Sequence, residues 1–164
     1  MRYIPQMLER LRRFKNLPAP GRTLFLRAAV LLPWVAVRLR LRGFQATNHS
    51  LQKTFGASQK PLREAGVLDS EAERAVLTAR MVRAAARHGM RDPSCLEESL
   101  VLAYLLRRQG IEAQLRIGVK KNIPKFEAHA WVECGGVALN ETESLHDHYA
   151  PFEAEFTSLP PARS

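Results

Sequence analysis

Apolar positions recur along this chain first at a helical period and then in alternation, and the change falls at Gly110. Met7, Leu8, Leu11 and Phe14 stand at helical spacing among basic residues, which predicts a short opening helix. It stops at Leu17-Pro18-Ala19-Pro20-Gly21, because proline and glycine together break a helix. A second helix is expected from near Thr23 to Leu41. Gly43 to Pro61 mixes Gln, Asn, Ser, Gly and Thr with Leu51 and Phe55, so it reads as a connecting stretch with one helical turn. A further helix is capped by Asp69 or Ser70 and carries Glu71 and Glu73 in its first turn. It repeats Ala75, Val76, Ala79, Val82, Ala85 and Ala86 before stopping at Gly89. After Asp92-Pro93-Ser94, Cys95 and Leu96 open another helix, with Leu100, Val101, Tyr104 and Leu105 on its apolar face. Arg107, Arg108 and Gly110 close it.

Beyond Gly110 the alternation predicts strands. Ala113, Leu115, Ile117 and Val119 line one face of a first strand, and Ala128, Ala130, Val132 and Cys134 line a face of a second. Gly135-Gly136 supplies a tight turn, and Val137 to Asn140 returns as a third strand. The tail from Phe152 is expected to be irregular. Helices followed by antiparallel strands make an α+β fold. The expected division is a basic helical extension over residues 1–60 and a core domain over 61–158. No internal repeat or low-complexity block is visible.

Charge changes this picture at one end only. Residues 1–43 hold ten Lys or Arg against the single acid Glu9, whereas the rest of the chain holds 15 basic and 15 acidic residues. The formal net charge of +9 therefore belongs to the N-terminal segment. That segment suits an acidic partner, peptide, membrane surface or phosphate backbone. No RNA- or DNA-recognition motif accompanies it, so nucleic acid ranks last among these. The most apolar window, Ala28 to Val37, is bracketed by Arg27 and Arg38 and interrupted by Pro33, and falls short of the about 20 apolar residues a spanning helix needs. It reads as a buried or partner-facing helix, or as an interfacial amphipathic one. Two cysteines are too few for a disulfide scaffold, and no secretory signal is apparent, so a reducing cytoplasm is the expected location.

The candidate chemistry centres on Cys95 and His129. A thiol in the first turn of a helix feels the positive end of the macrodipole and unpaired backbone N–H groups, both of which favour the thiolate. His129 lies in Phe126-Glu127-Ala128-His129-Ala130-Trp131-Val132-Glu133, where alternation puts the imidazole and Trp131 on one face and Ala128, Ala130 and Val132 on the other. Glu141 and Asn140 end the returning strand, and either can reach back to hold the imidazole in its working tautomer. Glu133 shares the His129 face but reads as a solvated strand residue. Cys134 points away and reads as structural. His146-Asp147-His148 lacks the further ligands of a zinc site, so no metal or cofactor is expected. His49 and His88 read as solvated or capping residues, and Trp34 and Trp131 as core.

In combination these residues resemble a known family. Cys95-Leu96, Ser99-Leu100, Leu105-Leu106-Arg107-Arg108-Gln109-Gly110-Ile111 and Ile117-Gly118-Val119 come first, followed by Ala128-His129-Ala130-Trp131-Val132-Glu133 and Gly136-Val137-Ala138-Leu139-Asn140. The set is similar to the lasso-peptide B proteins, the transglutaminase-like leader peptidases of lasso-peptide biosynthesis, including the C-terminal domain of microcin-processing B proteins. The resemblance spans residues 70 to 153. It implies a transglutaminase-like, papain-like cysteine protease core in which the Cys-bearing helix packs on an antiparallel sheet. It also implies a Cys95 nucleophile, a His129 base and a leader-peptide substrate. The family's third member is an aspartate, whose matching position here is Glu141, a departure that leaves Asn140 as the alternative. The backbone N–H of Leu96 or Cys95 is the expected oxyanion donor. Expected partners are the precursor leader peptide, a separate leader-recognition protein and the lasso cyclase. Transfer of the acyl group to an amine, as in a transglutaminase or amidase, and a non-catalytic peptide-binding domain of the same fold are the competing readings.

Overall fold

Two serines start two of the helices by the same local chemistry. In the computed structural model, which describes residues 18–56, 70–89, 92–120, 128–140 and 149–151, Ser70 accepts the N–H of Glu73 while the Glu73 carboxylate accepts that of Ser70. Ser94 and Glu97 repeat this reciprocal cap. The helices they begin are α2 (Glu71–His88) and α3 (Cys95–Arg108), preceded by α1 (Ala19–Gly56). β1 (Gln114–Lys120), β2 (Ala128–Cys134), β3 (Val137–Ala138) and β4 (Tyr149–Pro151) follow, and the fold is α+β as expected. The helix expected over Met7 to Phe14 and the tail from Phe152 lie outside the described residues.

The long helix α1 corrects one expectation. The stretch after Gly43 is not a connector but continues as helix to Gly56. Gly43 itself, at φ 72 and ψ 179, is non-helical, and a side chain there would be strained. The Thr47 hydroxyl donates to the Gly43 carbonyl at 2.7 Å, giving the second arm a start. Leu51 explains why that arm forms despite its polar composition: it is buried in the same cluster as Ala28, Leu32 and Val35 of the first arm. Pro33 is tolerated mid-helix because it and Ala29, whose carbonyl loses its N–H partner, are both exposed to water.

One core joins α1, α2 and α3 to the sheet. Ala75, Ala79 and Val82 of α2, Leu102 and Leu106 of α3 and Val132 of β2 complete the cluster that α1 enters. Burying one such Leu or Val contributes about 2 kcal/mol, so α1 is a structural layer of this core. Among the described residues, no helix is long and apolar enough to cross a membrane.

The sheet is antiparallel, in the order β3-β2-β1-β4. β1 pairs with β2 in a register that sets Gly118 opposite His129 and Arg116 opposite Trp131. Gly135 and Gly136, at φ 57 and φ 80, make the turn from β2 to β3, where two consecutive left-handed residues match the strand twist. The return strand is shorter than expected, Val137–Ala138 rather than Val137 to Asn140. The three residues of β4 pair with Gly118, Val119 and Lys120 and were not anticipated.

Candidate active site

Beyond its pairing with β3, the edge of β2 is bonded to α3 through two side chains. β3 ends at Ala138, and Leu139 makes the last backbone bond of that pairing, its N–H donating to the Val132 carbonyl at 2.9 Å. The Asn140 side chain then takes the place of a strand, accepting the Val132 N–H on Oδ1 at 2.8 Å. Its Nδ2 donates to the Ser99 hydroxyl at 3.0 Å, and Ser99 donates to the Ala130 carbonyl at 2.9 Å. Ser99 and Asn140 are buried, so each of these bonds replaces water that the fold excludes. Together they fasten the first half of α3 along the β2 edge.

Cys95 is the first residue of α3, four residues or about 6 Å of helix ahead of Ser99. His129 precedes Ala130, the residue Ser99 holds. The edge lock thus ties α3, which Cys95 opens, to β2, which carries His129.

The cap shapes this first turn. Ser94 directs its hydroxyl to the Glu97 N–H at 3.3 Å and its carbonyl to the Glu98 N–H at 3.1 Å. The N–H groups of Cys95 and Leu96 stay outside these bonds and point along the helix axis. Two carboxylates share the turn. Glu97 is buried and folds back to accept the Ser94 N–H at 2.8 Å, and Glu98 lies 4.0 Å from the Arg83 guanidinium. Cys95 is half-buried; Leu96 packs against the core.

On the other side, the face of β2 divides as its alternation requires. Val132 and Cys134 pack with the helices, which gives Cys134 its structural place. The imidazole of His129 stacks on Trp131, with centroids 6.3 Å apart and planes inclined by 16°. Trp131 is only 1% exposed, and its indole N–H donates to Glu133 Oε1 at 2.8 Å. Glu133 Oε2 accepts from Arg116 Nε at 3.2 Å. Glu133 is therefore not the solvated strand residue its sequence position suggests but the acceptor that fixes the ring beneath His129. Across the strand from the imidazole stands Gly118, so the neighbour there is backbone alone.

Asn140, a candidate to orient His129, bonds the Val132 N–H through Oδ1 and the Ser99 hydroxyl through Nδ2. Glu141, the other candidate, lies outside the described residues, as do His146, Asp147 and His148. Arg83 was missed by sequence reasoning. It donates to the Asn140 carbonyl while pairing with Glu98, tying α2 to the site from outside. Caps and helical periodicity marked α2, but nothing local distinguishes Arg83 from its neighbouring arginines. Among the described residues there is no cluster of three or more His, Cys, Asp or Glu able to hold a metal. His88 ends α2 with Nδ1 2.7 Å from the Ala84 carbonyl, and His49 is exposed on the second arm of α1.

A family model described as the transglutaminase-like superfamily matches residues 28–154. The microcin J25-processing protein McjB of Escherichia coli is 38% identical over 53 residues, a stretch covering 32% of this chain and 24% of that protein. No solved structure matches the chain significantly.

Proposed function

This chain belongs to the transglutaminase-like superfamily, and on that footing we propose that it is a cysteine peptidase that removes a leader segment from a ribosomally made lasso-peptide precursor. The observation that supports the reading is the edge lock, which fastens the helix opened by Cys95 to the strand that carries His129. Local identity to a protein named for microcin processing supports the substrate class.

In the proposed reaction the Cys95 thiolate attacks the scissile carbonyl, and the N–H groups of Leu96 and Cys95 receive the developing oxyanion. His129 gives a proton to the departing amine, releasing one product and leaving a thioester. Water then attacks that thioester with His129 as base, and the thiol returns. Trp131, held by Glu133, supports the imidazole from beneath. Glu141, at the position of the family's third member, is the group assigned to orient the ring, with Asn140 as the alternative; Arg83 and Ser99 hold Asn140. The setting is cytoplasmic, and the precursor is presented by a separate leader-binding protein, with the lasso cyclase acting on the product.

The test is incubation of the full chain with a leader-bearing precursor peptide and its leader-binding protein, read by mass spectrometry. One cleavage, absent in Cys95→Ala and diverted to a hydroxamate by added hydroxylamine, is the expected result. Binding of the precursor without any cleavage would refute catalysis and leave a peptide-binding domain.

A further inference from the structure

Along α1, on the side away from the core, runs a line of apolar side chains. Leu26 is 55%, Val30 70%, Val37 55% and Leu41 78% exposed, and Pro33 between them is exposed as well. Intervals of four, three, four and four residues keep the five on one stripe at 3.6 residues per turn. Leu24, Ala28, Leu32 and Val35, on the opposite side, are buried. Scattered exposed apolar residues are ordinary, but five in register over about 22 Å form a seam.

Arginine flanks this seam on both sides. Arg22 and Arg40 are eighteen residues apart, a whole number of turns, and stand together on one flank. Arg27 and Arg38, eleven apart, stand on the other, where Arg38 lies over the Trp34 ring at 4.9 Å. No Asp or Glu occurs between Glu9 and Glu64. A second copy of the chain would therefore oppose arginine to arginine at both ends of the seam, which disfavours self-pairing there.

We infer that this face of α1 docks an amphipathic helix of a partner protein whose apolar ridge is bordered by Asp and Glu. A narrow apolar line with like charge on both borders is complementary to such a helix, ridge to ridge and carboxylate to guanidinium. The inference does not depend on Cys95 or on the proposed peptidase activity.

The probe is an acetylated, fluorescein-labelled three-heptad peptide with Leu at a and d and Glu at e and g. Its control carries Lys at e and g, and vesicles of phosphatidylglycerol and phosphatidylcholine form a separate arm. The full-length protein should bind the Glu peptide and not the Lys peptide, more weakly at ~1 M salt, where screening reaches about 3 Å. Val30→Asp and Val37→Asp, both at exposed positions, should each weaken binding roughly tenfold, the equivalent of losing one buried valine. Arg22→Glu with Arg40→Glu should shift preference toward the Lys peptide. Far-UV circular dichroism of each variant should be unchanged. Equal binding of both peptides, or indifference to the valine substitutions, would overturn the inference. So would vesicle binding without discrimination between peptides, which would assign the seam to a lipid surface.

Discussion

Replacing Asn140 by alanine should loosen the joint between α3 and β2. The substitution removes the acceptor of the Val132 N–H, which is fully buried, and the donor to Ser99. A buried donor left without a partner costs about 1–3 kcal/mol, and loss of the second bond adds about 1 kcal/mol, so a total near ~3 kcal/mol is expected. For a chain of this size each kcal/mol lowers Tm by about 2–4 °C, giving a fall of roughly 6–12 °C. Urea titration should show a lower midpoint at unchanged slope. Ser99→Ala removes the donor to Ala130 and the acceptor of the same amide, and should cost about 1–2 kcal/mol alone. Because the two residues share a bond, the double variant should lose less than the sum by about 1 kcal/mol. A cost for Asn140→Ala below about 0.5 kcal/mol, the level of an ordinary surface change, or strict additivity in the cycle, would refute the edge lock.

Other expectations follow from the same geometry. Ser94→Ala and Ser70→Ala should each cost about 1 kcal/mol in denaturant midpoints, but only the former should alter the alkylation rate of Cys95. Glu133→Ala takes the acceptor from a buried indole N–H and should cost about 1–2 kcal/mol, whereas Glu133→Gln keeps an oxygen for Trp131. It loses only a charge facing a guanidinium about a third exposed, so it should cost under about 1 kcal/mol; the reverse order would contradict the assignment. Burial pushes the Tyr104 phenol above its ordinary 10.0, opposed in part by the hydrogen bond and charge of Arg108 and the charge of Arg27. The unfolded chain therefore releases this proton first, so the associated stability is complete below pH 10.0 and is lost as pH rises through the folded value. Ultraviolet difference titration of wild type against Tyr104→Phe checks the direction.

The parts of the fold that local chemistry specifies were readable in the sequence. Ser70, followed by Glu71 and Glu73, announces α2, and Gly135-Gly136 announces its turn. Cys95 accordingly falls at a helix start as read, and His129 shares its face with Trp131. What escaped depended on distant partners. The second arm of α1 is polar in composition and is helical because Leu51 reaches the common core. β4 exists only through pairing with β1, and β3 stops early because the Asn140 side chain takes over its hydrogen bond. Glu133 looked solvated because its partner, Arg116, comes beside it only once the register of β1 on β2 is set.

The most direct measurement is intact mass after brief, low-dose iodoacetamide at mildly acidic pH, comparing wild type with Cys95→Ala and His129→Ala. Rapid addition of one label, absent in Cys95→Ala and slowed strongly in His129→Ala, is the predicted result for a cysteine activated by its histidine. Slow labelling that ignores His129 would contradict the pairing and leave the fold as a binding domain.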